Sequence, residues 1–422
     1  MFKLADASLR RMRHSLALAL LAALLAVAPI SSLGADLVLV GAKIYPSPDE
    51  APLDNPSILI HDGKIQALGP ARSVRIPADA TRIDCKSLTV TAGFWNSHVH
   101  ILPRALLHAE QSSAAELNAE LEKMFNRWGF TSVFDIASPL ENTLALRRRI
   151  DNGELRGPHI LTTGEPVWTI EPIYVRAFLL QNQIRIPDTT TPEDAIALVR
   201  DHFDKGSNGI KLFTGSYQGG EKVANLPLPI AKAAVEEAHK HAMPVFAHPQ
   251  NLAGVEIAID SGVDVLAHTV PQSPPWSPEF CARLKRAHLA LIPTLTLFDF
   301  ESREGTPKQR EDLITQTMGA ELRAYSQAGG NILFGTDIGY TDRYDTTLEF
   351  TLMSRAGMSS RQILASLTTN PALRFAGSSG RIESGRPADL TVLDADPVND
   401  PTAFSKVCYT IRAGKIIYRA QN

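Results

Sequence analysis

Cysteine is scarce in this chain. Only Cys85, Cys281 and Cys408 occur among 422 residues, with no CxxC spacing, so neither a disulfide framework nor a structural zinc knot is indicated and three buried thiols are expected. A surplus of one charge is also missing. Lys and Arg number 42 against 45 Asp and Glu, with no basic patch to draw in nucleic acid. No convincing Gly-x-Ser-x-Gly elbow appears, which leaves out the common route to a serine nucleophile. Long apolar runs are absent but for the 15 residues from Leu16 to Ile30, short for a bilayer span. Lys3, Arg10, Arg11 and Arg13 precede that run, and Ser31, Ser32, Gly34 and Ala35 follow it. This order predicts a secretory signal peptide over residues 1–35, with an uncleaved anchor as the alternative. The expected location is therefore secreted or periplasmic, with no membrane attachment once the leader is removed. Its removal takes four basic groups and one acidic group, moving the formal charge from −3 to −6.

What remains has the composition of an ordinary globular protein, 44% hydrophobic and 21% charged. A single core rarely grows past about 250–300 residues, so two domains or one large barrel with an attachment are expected. Residues 36–91 read as short apolar runs broken by turns, with Asp62-Gly63 a strong hairpin signal because both centres of a type I′ turn need positive φ. Residues 376–422 behave alike, with Ala413-Gly414 splitting two runs. Neither piece can bury a good core alone, so the two are expected to pair into one small β-sandwich built from both chain ends. Residues 92–375 alternate strand-like and helix-like stretches. Eight strand candidates begin with Val90–Phe94 and end with Ile332–Gly335, predicting an α/β fold with a closed (β/α)8 TIM barrel. Thr191, Pro192 and Asp194 announce a capped helix. The connection from Gly164 to Thr190 is long and carries Trp168, Ile170, Tyr174 and Phe178, as a lid or binding wall does.

Six residues stand out because each lies at the end of a candidate strand or inside one: His98, His100, Lys211, His248, His268 and Asp337. Residues two apart in a strand point the same way, so His98 and His100 present two imidazoles to one ion. Alone, HxH is weak, and a satisfied core histidine is commoner. Its place just beyond the first barrel strand, on the face where barrel enzymes keep their chemistry, changes that balance. His248 and His268 end two further strands. Asp337 ends the eighth, where a carboxylate can bind metal and accept a proton from water; a helix N-cap is its plainer reading. Lys211 sits among apolar residues in Gly209-Ile210-Lys211-Leu212-Phe213. Burial lowers a lysine pKa and leaves an amine that can react with carbon dioxide. The resulting carbamate could bridge two divalent ions about 3.5–4 Å apart. A salt bridge to Asp135 or an unmodified lysine base are the alternatives.

With these residues in place, the chain after the leader resembles the amidohydrolase superfamily, especially prolidase-like or imidazolonepropionase-related members with a carboxylated lysine on strand four. Thr369-Asn370-Pro371-Ala372, Gly380-Arg381-Ile382 and Ala388-Asp389-Leu390 are further signatures in the same order. The resemblance implies a binuclear hydrolase acting on carbon–nitrogen bonds, with His98, His100 and Asp337 on the more buried ion, His248 and His268 on the outer one, and carbamylated Lys211 bridging. Zinc is favoured over manganese or cobalt. A metal-bridging hydroxide would attack an amide carbonyl of an aminoacyl or N-acyl amino acid compound, and Asp337 would pass the proton to the leaving nitrogen. Tyr217 and Arg343 are the expected contacts to the substrate's carboxylate or tetrahedral oxygen, and the partner is a small-molecule amide. Relatives frequently assemble, which makes a homo-oligomer the corresponding expectation. Two positions depart from the family pattern. Asn96 replaces an aspartate and Ala92 a proline; Asn96 is expected to orient a histidine through its amide without raising its basicity. A cyclic amide, a lactone or a deaminated heterocycle are the alternative substrates, although deaminase relatives lack the strand-four lysine. An inactive exported metal-binding protein would have lost a ligand, and none is lost here.

Overall fold

A computed structural model of the chain describes residues 36–421, and the leader expected over residues 1–35 lies outside them. Two sheets gather the chain ends. One holds four strands in the order Lys64–Pro70, Pro56–His61, Leu37–Val40, Thr81–Asp84. The other holds six and joins the termini directly, because Leu390–Leu393 runs antiparallel to Thr89–Ala92 with Thr391 opposite Thr91. Leu37, Leu39, Ile58 and Ile60 of the first sheet share one apolar core with Val90, Leu390, Val392 and Ile411 of the second. Alternation along each strand sends these residues to one face. Asp62-Gly63 forms the expected tight turn, with φ of 48° and 73°. Ala413-Gly414 also has positive φ, and the two tips touch: a Cβ on Gly63 would lie 3.0 Å from the Ala413 carbonyl oxygen.

Eight parallel strands carry the rest: β1 (Phe94–Val99), β2 (Phe130–Asp135), β3 (His159–Thr162), β4 (Ile210–Phe213), β5 (Val245–His248), β6 (Val265–Leu266), β7 (Ala290–Leu291) and β8 (Asn331–Ile332). β1 to β3 form one parallel run and β4 to β8 another. Hydrogen bonds cross both seams. Asn208 N donates to Thr162 O at 2.8 Å between β3 and β4, and Ser97 N donates to Phe334 O at 2.7 Å between β1 and the chain following β8. This mixed α/β arrangement fits the eight-stranded barrel that the sequence predicts. Phe134, Ile136, Phe246, Val265, Ala267, Ala290, Ile292 and Leu333 pack together from these strands, while the opposite strand faces meet the helices in the main core.

Three strand expectations need correction. The run Val90–Phe94 divides at Gly93, because Thr89–Ala92 finds partners on both edges in the six-stranded sheet and β1 begins only at Phe94. The run from Ala290 ends at Leu291; Leu295–Glu301 is a helix entered through Thr294 with φ of 45°. β8 shrinks to two residues, and the segment carrying Asp337 is held instead by bonds such as Asp337 N to His98 O at 2.9 Å. The capped helix is found as expected: Thr191 and Asp194 form a reciprocal capping box around Pro192 in the helix Pro192–Lys205. The long connection is not structureless but contains the helix Ile173–Gln181, none of whose residues is fully buried.

Glu321, on the helix Gly319–Gln327, ties that helix to the chain after β6, its Oε2 accepting from Val270 N at 2.7 Å. Burial pushes its carboxyl up from 4.5 to about 9 despite that bond. A raised carboxyl pKa means that the folded state keeps a proton which the unfolded chain releases, so stability falls as pH rises from about 4.5 towards 9. Glu321→Gln keeps the acceptor and removes the ionisation. Thermal unfolding from pH 5 to 9 is expected to show the variant gaining on the native chain, by more than about 1 kcal/mol at the alkaline end; a constant difference across that range would contradict the assignment.

Candidate metal centre and its cavity

His98 lies within β1 and His100 immediately beyond it, their ring centroids 5.3 Å apart. Asp337 reaches them from the segment after β8 with φ of 60°, a left-handed conformation that aspartate tolerates better than most residues. Its Oδ1 lies 2.8 Å from His100 Nε2 and 3.3 Å from His98 Nε2, and its Oδ2 lies 3.9 Å from His268 Nε2. Each of two rings is anchored from behind. His98 Nδ1 bonds the Ala267 carbonyl at 2.9 Å, which requires Nδ1 to carry the hydrogen. His268 Nδ1 lies 2.8 Å from Thr294 Oγ1, whose own hydrogen is directed to Pro293 O at 2.9 Å. The hydroxyl oxygen therefore accepts, and His268 also keeps its hydrogen on Nδ1.

The consequence is electrostatic. With both Nδ1 atoms protonated, the Nε2 lone pairs of His98 and His268 face a carboxylate, an arrangement that a cation satisfies. His98 Nε2 and Asp337 Oδ1 are buried without hydrogen-bond partners. One ligand atom from each of His98, His268 and Asp337 lies within 4.8 Å of the others, so these residues fit a metal ion. Burial lowers the His98 pKa to about 4 and that of His248 to about 3, and holds His268 well below its ordinary value. These three rings are neutral at physiological pH. Burial works against ionisation of Asp337, yet the neighbouring His98 and His100 hold its carboxyl well below the usual range.

His248 and Lys211 border the same cavity. His248 ends β5 and stacks on Phe213 at 4.8 Å, with its centroid 4.7 Å from that of His268. Lys211, in the middle of β4, is 1% exposed, and its Nζ lies 5.4 Å from the Phe213 ring centre. Burial brings its amine down to about 7, against a raising influence from Asp337, so much of it is unprotonated near neutrality. Asp135, the alternative partner for this lysine, is already occupied: it accepts from Ile101 N, Ser138 Oγ, Thr143 Oγ1 and Thr162 Oγ1. Asn96 does not touch an imidazole. Its amide nitrogen donates to Thr336 Oγ1 at 2.8 Å and its oxygen accepts from His98 N at 3.3 Å, so it spaces the two segments through the His98 backbone and the Thr336 side chain.

The two expected substrate contacts lie elsewhere. Tyr217 belongs to a hairpin, paired with Val223, and is not among the residues lining the cavity. Arg343 also lies outside the lining; it is ion-paired with Asp299, a carboxylate that Arg310 approaches at 3.4 Å. The cavity wall is instead Trp168, Tyr174, Val175, Phe178 and Leu179 from the long connection, with Glu301 and Tyr340. The aromatic content of that connection announced the first group. Glu301 carried no signal, because it lies beyond the strand expected over Ala290–Leu295, and Thr294 was hidden inside that expected strand.

A model of the amidohydrolase family matches residues 89–417. Ochratoxinase of Aspergillus niger is 22% identical over 434 aligned positions, spanning 90% of this chain and 87% of its own. Among solved structures, a provisionally assigned prolidase from Bifidobacterium longum gives a TM-score of 0.76 at 26% identity, covering 92% of this chain and 95% of that one. A Xaa-Pro dipeptidase with bound methionine in its active site gives 0.77 at 21% identity, covering 92% and 100%; at that identity the likeness is one of fold.

Thr294→Val removes the acceptor behind His268 with little change in volume. Loss of such an anchor typically weakens metal binding about 10–100-fold, and competition with a chromophoric chelator is expected to show it while circular dichroism stays unchanged.

Proposed function

Because the chain belongs to the amidohydrolase family, whose members are hydrolases acting on carbon–nitrogen bonds, we propose that it cleaves the amide bond of an N-acyl or aminoacyl compound with a bulky apolar group. The observation that carries this reading is the convergence of unpartnered His98 Nε2 and Asp337 Oδ1 on a cavity that His268, His248 and Lys211 also border. His98, His100 and Asp337 would hold one divalent ion, His248 and His268 a second, zinc being favoured by the nitrogen-rich set. Such ions supply an ionised water near neutral pH and a polarised carbonyl. Lys211 would bridge as its carbamate: the neutral amine adds carbon dioxide through a new C–N bond and releases a proton.

The protein's own groups then have distinct tasks. Asp337 takes the proton of the attacking water and delivers it to the leaving nitrogen, which would otherwise depart as an unstable amide anion. Tyr174, whose hydroxyl is 3.5 Å from His248 Nε2, is placed to donate to the scissile carbonyl oxygen as negative charge grows on it. Trp168, Phe178 and Leu179 exclude water and bind the apolar part of the substrate. The same proposal includes closure of β1 to β8 into a (β/α)8 barrel, supported by the hydrogen bonds at both seams, and a sandwich of the two outer sheets, supported by their common core. Export to the periplasm or medium is supported by the order of basic, apolar and small residues in positions 1–35.

The test is a panel of N-acyl and aminoacyl amides offered to the metal-loaded protein, with metal content measured on the same sample. Lys211→Ala is expected to lower metal content from two ions to one and kcat/KM by at least about 100-fold, a loss typical for removal of a group central to the transition state. Short carboxylic acids should restore part of both. Undiminished turnover with unchanged metal content would falsify the carbamate bridge.

A further inference from the structure

The cavity has a marked charge asymmetry. Val175, Phe178, Leu179, Ile184 and Ile186 supply an apolar wall from one continuous stretch of chain. Glu301 adds a carboxylate, with its Oε1 accepting from the Tyr340 hydroxyl at 3.3 Å, and the Tyr340 ring packs 5.5 Å from that of Tyr174. Among the described residues no arginine lines this space, and its one lysine is Lys211. Arg343 is committed to Asp299, and its guanidinium lies 5.6 Å from the Phe300 ring centre.

Away from the metal centre, a free carboxylate would shed its hydration against Val175, Phe178 and Leu179 without meeting a side-chain cation, and Glu301, whose carboxyl burial raises to about 7, offers it no counter-charge. An aryl or branched alkyl group loses nothing on entering and gains contact along the whole wall. We infer that the substrate is a neutral amide with a bulky apolar group and no free carboxylate, selected by the Val175–Phe178–Leu179 wall and the Glu301–Tyr340 pair. The inference rests on the proposed hydrolase reading, since that reading commits Lys211 to the metal ions and leaves no side-chain cation in the wall for a substrate carboxylate. It separates this chain from enzymes that cut dipeptides or N-acyl amino acids, whose substrates end in a carboxylate.

Matched pairs that differ only in that group provide the test: N-benzoylphenylalanine against N-benzoylphenethylamine, and N-hexanoylleucine against N-hexanoyl-3-methylbutylamine, offered to the metal-loaded full chain. The neutral member of each pair is expected to have kcat/KM at least tenfold higher. Phe178→Arg, which places a cation in the wall, should move the ratio at least tenfold towards the acid, whereas Phe178→Ala should lower turnover of the neutral members. Binding of the same four compounds is followed in parallel by quenching of Trp168, which lines the cavity, with Trp168→Phe as the control. Turnover with equal or greater preference for the acids overturns the inference and leaves amide hydrolysis standing. Absence of turnover for all four, with metal bound, counts against the hydrolase reading; the binding preference then decides the inference separately, tighter binding of the neutral members supporting it and equal or weaker binding overturning it.

Discussion

A carboxylate and imidazole lone pairs confined together without water repel one another, and the centre of this protein is organised around that repulsion. His98 and His268 cannot relieve it by turning, because Ala267 O and Thr294 Oγ1 hold their other nitrogens. Protonation is disfavoured by burial, which brings His98 to about 4. A divalent cation resolves the conflict, so each anchor behind a ring also contributes to metal affinity. The anchors come from different parts of the strand layer: Ala267 follows β6, Thr294 follows β7, and Asp337 follows β8. Correct packing of those strands is thereby a condition for binding the ion.

Burial in the strand layer, with its Nζ 5.4 Å from the Phe213 ring centre, sets the state of Lys211. A lysine so placed loses much of its preference for the charged state, and Asp337 only partly restores it. Asp135, the carboxylate that could have paired with this lysine, is saturated by four donors, and no ion pair keeps Lys211 an ordinary ammonium among the described residues. Asp135 also fixes the chain just past His100 through Ile101 N, so its four donors steady the segment that presents that ring.

Much of the centre was legible from residues alone, because strand-end placement is a physical signal: an apolar run terminating in His248 or His268 puts the ring where the strands open. The hairpin at Asp62-Gly63 and the box at Thr191 were legible for a similar reason, being local chemistry written over a few residues. Tyr217 and Arg343 were chosen by their distance along the chain from Lys211 and Asp337, and such offsets carry no information about where a loop folds back. Thr294 was obscured by a wrong period: Ala290 to Leu295 is apolar enough to read as strand, yet the left-handed turn at Thr294 starts a helix that carries Glu301 at its end. Which part of Asn96 did the work was likewise invisible, since its contacts are to backbone and to Thr336, far away in sequence.

The antiparallel pairing of Thr89–Ala92 with Leu390–Leu393 has a consequence for how the molecule comes into being. The four-stranded sheet draws all its strands from residues 37–84, but the lid over its apolar face, with Leu390, Val392 and Ile411, is translated only after the strands β1 to β8. During synthesis that face waits uncovered while the whole metal-binding portion emerges, a period in which a bare β-surface invites the wrong neighbours. A ribosome that stops before Leu390 would therefore release a chain with His98, His268 and Asp337 all present and an open, adhesive flank.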